Sequence, residues 1–257
     1  MKTALPTLQL ALLHGRPEVF YSIQGEGKNA GLPAVFIRTS LCNLHCIWCD
    51  TDYTWNWEGT PFAHINDQDP SYRKYDKKNW IARCSVGKVV EQVLAFPCRN
   101  VVLTGGEPLL QQQALVALMH LLRQHDAAYR FEIETNGTLL PLPDFEAAID
   151  QYNVSPKLSN SSNPRRLREK PAVYRYFAQN PKAYFKFVIT QEADLEEVLA
   201  LLGHYGIPTE KIWLMPEGST QETLQRRREW VVEACKTYGF RYTDRLHVQI
   251  WGSRKGV

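Results

Sequence analysis

LCNLHCIWCDTDYTW, residues 41–55, places Cys42, Cys46 and Cys49 in a Cys-x3-Cys-x2-Cys array. Thiolates this close on one loop can converge on a metal centre. Iron–sulfur clusters are usually held by four cysteine thiolates, and structural zinc closes a tetrahedron of four ligands. No fourth cysteine lies nearby, and His45 directly precedes Cys46, which makes binding of both to one ion awkward. The array therefore favours a four-iron cluster with one open iron over a structural zinc site.

The cysteine loop follows an apolar, β-branched run, residues 34–39, of the kind that forms a buried parallel strand. Similar runs recur along the chain and predict strands at residues 19–24, 34–39, 100–103, 130–135, 152–155, 183–190, 211–215 and 246–251. Amphipathic periodicity predicts helices at residues 85–95, with Ser85 as N-cap, 110–125, 194–205 and 221–238. About six alternating units predict an α/β fold with parallel strands, closed into a partial TIM-like barrel.

Polar and glycine-rich motifs follow the predicted strands at the point where each strand ends. They occupy residues 39–49, 104–107, 135–137, 155–157 and 215–218. In barrels of parallel strands, chemistry collects in the loops at the carboxyl ends of the strands. The sequence therefore predicts one composite site at this end of the sheet.

Two segments and the N-terminus have no assigned role. Residues 56–80 are polar and aromatic, and we expect an insertion that is too short for a core of its own. Residues 159–171 are polar and basic and are predicted to form a mobile loop. Residues 1–17 form a weakly patterned lead-in. We therefore expect a single domain over residues 1–257.

Composition excludes several classes of protein. The net charge of +3 over 257 residues is too small for a nucleic-acid partner. No segment approaches the ~20 apolar residues of a membrane span, and the N-terminus lacks a secretory pattern. Cys84, Cys98 and Cys235 are scattered without the spacing of a disulfide framework. We expect a soluble, cytoplasmic protein in a reducing compartment.

The cysteine array followed by Gly105-Gly106-Glu107-Pro108 resembles the radical S-adenosylmethionine superfamily. Within it, the order of the motifs is similar to that of the 7-carboxy-7-deazaguanine synthases. The motifs are FYSIQGEG (20–27), NAGLPAVFIR (29–38), CNLHCIWCDTDYTW (42–55), VLTGGEPLLQ (102–111), ETNG (134–137), SPK (155–157) and MPEG (215–218). The resemblance spans most of the chain and implies a (βα)6 partial barrel.

The resemblance also implies the cofactors. Cys42, Cys46 and Cys49 would hold a [4Fe-4S] cluster whose open iron binds S-adenosylmethionine, and one electron would cleave this cofactor to a 5′-deoxyadenosyl radical. Thr51 would ligate Mg²⁺, and a donor such as flavodoxin would supply the electron to a homodimeric enzyme. The residues implied to bind S-adenosylmethionine are Trp48, Asp50, Gly106, Ser155, Pro156, Lys157, Met215, Pro216, Glu217 and Gly218.

The substrate that the resemblance implies is 6-carboxy-5,6,7,8-tetrahydropterin. A radical S-adenosylmethionine lyase would contract its ring to 7-carboxy-7-deazaguanine with loss of ammonia, in the biosynthesis of queuosine and other deazapurines. The residues implied to bind the substrate are Ile23, Gln24, Gly25, Glu26, Arg38, Thr104, His247 and Val257.

The position of Arg38 in the sequence predicts a buried ion pair independently of the resemblance. It ends an otherwise apolar strand, where a guanidinium is costly unless it is paired. Its planar fork suits a carboxylate. The partner is either the substrate carboxylate or a structural acid of the protein.

Two alternative functions must be distinguished from the lyase activity. An activase of the same superfamily would place a glycyl radical on a partner protein, and it would leave Gln24, Glu26 and Arg38 without a small substrate. A zinc-stabilised RNA-binding module would need a metal site of four ligands and a basic surface.

Overall fold

The apolar runs that precede the motif loops form the strands of one sheet in the computed structural model, which describes residues 5–257. The strands are β1 (Thr7–Leu13), β2 (Arg16–Pro17), β3 (Val19–Ile23), β4 (Pro33–Thr39), β5 (Ile81–Ser85), β6 (Asn100–Gly105), β7 (Arg130–Thr135), β8 (Gln151–Val154), β9 (Ala183–Ile189), β10 (Ile212–Pro216) and β11 (Arg241–Tyr242). The helices are α1 (Lys77–Trp80), α2 (Val86–Leu94), α3 (Gln112–His125), α4 (Pro143–Ala148), α5 (Arg165–Arg168), α6 (Pro171–Gln179), α7 (Ala193–Tyr205), α8 (Gln221–Tyr238) and α9 (Leu246–Trp251).

Parallel strands form the larger part of the sheet, in the order β4-β6-β7-β8-β9-β10-β11. Their apolar side chains are buried against the helices; Ile37, Leu103 and Phe187 are fully buried, for example. On α3, the predicted apolar face is buried through Leu115, Leu118, Met119 and Leu122. The predicted α/β fold with a parallel partial barrel is confirmed.

Antiparallel strands extend the β4 side of the sheet. Strand β1 pairs with β2, β4 and β5, and β3 pairs with β4. The prediction of a weakly patterned lead-in is therefore wrong for Thr7–Leu13, whose Leu8 and Leu10 are fully buried. Strand β1 forms because β4 and β5, which are distant in sequence, supply its partners, and local patterning does not show this. The backbone N–H and C=O of Gln9 also pair with the side chain of Gln111. Residues 1–4 of this lead-in lie outside the described residues.

The last predicted strand is wrong, because Leu246–Trp251 forms helix α9. Its alternating Leu246, Val248 and Ile250 suggested a strand with one apolar face, yet Ile250 is 50% exposed. The backbone N–H of Leu246 donates to the carbonyl oxygen of Gly25 at 2.9 Å, so the segment is anchored on the β3–β4 connection. The sheet ends instead at β11.

The segment 159–171, predicted to be a mobile loop, contains helix α5 and ends at the start of α6. Ser161, Asn163 and Arg168 are buried within it, and the prediction had placed no helix here. Its polar side chains satisfy each other and the neighbouring backbone, and the hydrophobic pattern therefore does not reveal the segment. Helix α4 was also missed; it begins with Pro143 at its first turn.

The insertion at residues 56–80 packs beside the cysteine loop. Asn56 and His64 are buried, and the Asn56 side chain donates to the hydroxyl of Tyr72 at 2.8 Å. Asp52 of the cysteine loop accepts from the hydroxyls of Tyr72 and Tyr75. The insertion thus covers one side of the loop rather than forming a core of its own. Within the described residues, no helix is long and apolar enough to cross a membrane.

Candidate active site

A cavity of about 510 Å³ lies at the carboxyl ends of the parallel strands. It gathers the motif residues that the sequence analysis selected. The predicted site residues that line it are Cys42, Cys46, Cys49, Thr51, Trp48, Asp50, Gly106, Ser155, Lys157, Met215, Glu217, Gly218, Ile23, Gln24, Gly25, Glu26, Arg38, Thr104, His247 and Val257. Pro156 and Pro216 are not part of the lining. One composite site therefore forms where the sequence predicted it.

The three cysteines of the loop are free thiols that share this cavity. Among residues 5–257, no three Cys, His, Asp or Glu side chains gather closely enough to bind one metal ion. Ligands of a single zinc ion must converge on a point, whereas thiolates that bind different irons of one cluster need not. The donor set thus fits an iron–sulfur cluster better than zinc.

Burial keeps these thiols neutral without a metal. It raises the pKa of Cys46 to about 12 and also raises the pKa values of Cys42 and Cys49. The His45 ring stacks on Phe62 with centroids 3.4 Å apart, and this contact argues against a role of His45 as a metal ligand. Three ionised thiolates at this site would need the positive charge of a bound metal centre.

The Gly-Gly-Glu run is shaped by close packing against the cysteine loop. A Cβ on Gly105, whose φ is +110°, would lie 2.1 Å from the carbonyl oxygen of Thr39, and one on Gly106 would lie 1.9 Å from that of Leu41.

Glu107 is fully buried and accepts from the backbone N–H groups of Leu109 and Asn136 at 3.0 and 2.7 Å. Burial raises the pKa of Glu107. The run therefore locks two motif loops together, and only glycine permits this approach.

Most of the predicted cofactor residues line the cavity. Lys157 donates to the hydroxyl of Ser155 at 2.8 Å, and its ammonium lies 5.7 Å from the centre of the Trp48 ring. Glu217 pairs with Arg227 of α8, and Asp50 pairs with Arg245. The carboxylates of Glu217 and Asp50 are therefore already engaged within the protein.

The predicted substrate residues have protein partners that the sequence did not reveal. Arg38 donates from Nε to Glu18 at 2.7 Å, so a structural acid occupies one edge of the guanidinium. Within the described residues its two terminal nitrogens make no hydrogen bond, and the residue lines the cavity. Gln24 donates from Nε2 to Glu132 at 2.5 Å. The Gln24 amide group is thereby held in one orientation.

Glu26 sits in a buried charge network with two residues that sequence reasoning missed. Its carboxylate is 2.5 Å from Nζ of Lys186 and 3.1 Å from Nε of Arg245. Lys186 also pairs with Glu134 at 2.8 Å. Burial opposes the charged form of Glu26, but Lys186 and Arg245 outweigh it and hold its pKa below the ordinary value.

A sequence signal existed for one of these two cations. Lys186 interrupts the apolar strand β9, AYFKFVI, just as Arg38 ends β4, and the same burial argument applies to it. Arg245 lies in a polar stretch between β11 and α9 and carries no such signal. It joins the site only because α9 returns to the β3–β4 connection.

The C-terminal part of the chain reaches the cavity through His247 and Val257, whose role as substrate ligands stays a prediction. His247 packs so closely on Gly25 that a Cβ on this glycine would lie 2.1 Å from the imidazole Nδ1. Burial lowers the pKa of His247, although Glu26 at 3.9 Å favours its protonated form. Thr104, at the end of β6, lines the cavity as well.

Comparison with known proteins places the chain among relatives of similar length. The model of the Radical SAM superfamily matches residues 36–231. A 7-carboxy-7-deazaguanine synthase of Pyrobaculum aerophilum is 36% identical over 241 residues, covering 93% of this chain and 95% of the relative. One from Halobacterium salinarum is 36% identical over 256 residues, covering 91% and 89%.

A solved structure supports the fold. The crystal structure of QueE from Escherichia coli superposes with a TM-score of 0.63 at 24% identity, covering 93% of this chain and 95% of that one. The motif order, the shared cavity and the two relatives agree on one assignment. The chain belongs to the radical S-adenosylmethionine superfamily and, within it, to the 7-carboxy-7-deazaguanine synthases.

Proposed function

We propose that this protein is the lyase that converts 6-carboxy-5,6,7,8-tetrahydropterin to 7-carboxy-7-deazaguanine and ammonia in deazapurine biosynthesis. The observation that carries the proposal is that one cavity joins the three cysteines to the Glu26 and Arg38 region. Relatives named for this synthase activity support it. A glycyl-radical activase is not favoured by these relatives.

Cys42, Cys46 and Cys49 would hold a [4Fe-4S] cluster, and the wall formed by Trp48 and Lys157 would hold S-adenosylmethionine. When bound, the cluster and S-adenosylmethionine supply the radical that starts the ring contraction. The chain itself binds and orients the substrate and keeps water from the reacting atoms. Part of the cavity lining is buried, including Gln24, Cys46 and Tyr53, and this supports the task.

The charge network would recognise the polar edge of the pterin. The Glu26 carboxylate accepts N–H groups of the kind that a pterin presents. Lys186 and Arg245 keep Glu26 ionised at neutral pH and hold it in place. Elsewhere in the cavity lining, the two terminal nitrogens of Arg38, which have no hydrogen-bond partner within the described residues, suit the substrate carboxylate.

Thr51 is our candidate for the Mg²⁺ ligand. Threonines at the start of a short helix usually cap the backbone, but the Thr51 side chain makes no cap hydrogen bond. Its hydroxyl lies 3.6 Å from the sulfur of Cys49 and lines the cavity. A hard oxygen donor in the lining of the substrate cavity suits Mg²⁺. A one-electron donor such as flavodoxin, a homodimer and a cytoplasmic location belong to the same proposal.

The test is anaerobic reconstitution followed by incubation with reductant, S-adenosylmethionine and the carboxytetrahydropterin. A deazapurine chromophore and ammonia should appear in equal amounts, and Cys46→Ala should abolish both together with the bound iron. Cys84→Ala is the matched control and should retain both. Addition of Mg²⁺ should raise the rate of the wild type but not of Thr51→Ala, whose cluster should be intact.

Reconstituted protein with four irons and no deazapurine product would contradict the proposed function. An unchanged Mg²⁺ response in Thr51→Ala would contradict only the assignment of the metal ligand.

A further inference from the structure

The side-chain amide of Asn163 lies against the sulfur of Cys46. The distance from Nδ2 to Sγ is 3.3 Å, although 117 residues separate the two in sequence. Asn163 is buried and belongs to the segment 159–171, for which the proposed chemistry has no use. The contact therefore needs an explanation of its own.

Hydrogen bonding fixes the orientation of this amide. The Asn163 Oδ1 accepts from the backbone N–H of His45 at 2.9 Å. A rotated amide would set its NH₂ group against that N–H and leave two donors facing each other. The NH₂ group must therefore face the sulfur of Cys46, where Ser161 also accepts from it at 3.1 Å.

The backbone around Asn163 is held firmly. Arg168 donates to the Asn163 carbonyl oxygen at 3.1 Å and to the Lys157 carbonyl oxygen at 3.0 Å, and it pairs with Glu197. The cysteine loop is tied to the same segment, because Ile47 donates its backbone N–H to Ser161 at 3.1 Å. Trp48 donates from its indole to the carbonyl oxygen of Asn160 at 3.0 Å. The position of the amide thus depends on the fold and not on Cys46.

The nitrogen contacts of Cys42 are longer than the one between Asn163 and Cys46. The backbone N–H of Leu44 is 3.5 Å from the sulfur of Cys42. Nδ2 of Asn136 is 3.9 Å from the same sulfur, but it is engaged by Asn43 at 2.8 Å. Of these nitrogen contacts, the one between Asn163 and Cys46 is the shortest.

We infer that Asn163 is a positioning residue that raises the reduction potential of the cluster through its hydrogen bond to Cys46. Uptake of one electron from an external donor makes the cluster and its thiolates more negative. An N–H dipole aimed at a thiolate sulfur stabilises the reduced state more than the oxidised state. Burial strengthens the effect, because water does not screen it. The inference rests on the proposed cluster.

The experiment is a redox titration of the reconstituted cluster, monitored by electron paramagnetic resonance without S-adenosylmethionine. Asn163→Ala should lower the reduction potential because the N–H donor is lost. Asn163→Asp should lower it further, since it keeps an acceptor for His45 and adds negative charge. Asn180→Ala is the matched control: Asn180 is buried to a similar degree, bonds Glu146 and should leave the potential unchanged.

Iron content distinguishes a failure of the proposed function from a failure of the inference about Asn163. A protein that binds no four-iron cluster overturns the proposed function, whereas four irons with an unchanged potential in both Asn163 variants overturn this inference alone. A potential that shifts equally in Asn180→Ala also overturns it. Should a variant lose iron, the wild type decides: with ¹⁵N in its asparagine side chains, pulsed resonance should show a nitrogen coupling to the cluster, and its absence contradicts the hydrogen bond.

Discussion

At the scale of single residues, Arg38 has one partner in the structure, Glu18, and a second that we propose, the substrate carboxylate. Glu18 is buried with its side chain 1% exposed, and besides Arg38 it accepts from the hydroxyl of Tyr53 at 2.8 Å. Removal of Arg38 would leave this carboxylate uncompensated. Loss of substrate affinity in an Arg38 variant therefore does not identify the residue as a substrate ligand, because the fold around it also suffers.

We expect Arg38→Ala to lower the free energy of unfolding by about 3–5 kcal/mol, the usual cost of breaking a buried pair. Denaturant titration measures this. The double variant Glu18→Gln with Arg38→Ala should recover part of the stability, since Glu18 is then no longer present as an uncompensated buried carboxylate.

Substrate binding in that double variant separates the roles. If Arg38 binds the substrate carboxylate, affinity should stay reduced by roughly a hundredfold or more. S-adenosylmethionine affinity serves as the control and should stay near the wild-type value. A double variant that binds the carboxytetrahydropterin like the wild type would make Arg38 a structural residue only.

At the scale of elements, the insertion 56–80 is joined to the cysteine loop through His64. Its Nδ1 accepts from the backbone N–H of Asn66 at 3.2 Å, so Nε2 carries the proton and donates to the Cys49 carbonyl oxygen at 2.9 Å. His64 is 4% exposed, and its ring packs on Trp55 and Tyr72. The insertion therefore holds Cys49, the last cysteine of the cysteine loop, in place.

His64→Ala should release the cluster to a chelator about fivefold faster, because loss of one buried hydrogen bond weakens the closed loop by about 1 kcal/mol. Loss of the cluster absorbance with time measures the rate. Ile65→Ala, at a neighbouring side chain that is 47% exposed, is the control and should behave like the wild type. Equal rates for all three proteins would show that the insertion does not retain the cluster.

At the scale of the whole molecule, the network of Glu26, Lys186 and Arg245 joins β9 and the segment before α9 to the β3–β4 connection. The folded state holds the pKa of Glu26 below its unfolded value, which is about 4.3. The stability from this group is therefore present above that pH and is lost as the pH falls towards the folded pKa.

We expect Glu26→Gln to flatten the pH dependence of stability below about pH 4.3, by up to about 1.4 kcal/mol per pH unit. Denaturant unfolding of the metal-free protein between about pH 6 and pH 3 measures the difference. Lys186 and Arg245 retain Glu134 and Asp50 as partners in this variant. Parallel curves for the two proteins would mean that Glu26 titrates alike in both states.

The sequence by itself determined the features that depend on local spacing. The three cysteines lie within one short loop, and the glycines and polar residues follow strands whose apolar character is evident. Because parallel strands bring their carboxyl ends to one edge, strand prediction was enough to gather the motifs into one site. The fold class and the part of the cavity lining that lies at the strand ends followed from this.

Only the tertiary structure decided the partners of the charged and polar groups. Arg245 reaches Glu26 across 219 residues and Asn163 reaches Cys46 across 117, and no local pattern encodes such pairs. Helix α9 likewise replaced a predicted strand because its neighbour is the β3–β4 connection and not a sheet edge. Hydrophobic periodicity reports which face of an element is buried, whereas the partner of a buried polar group depends on which distant element packs against it.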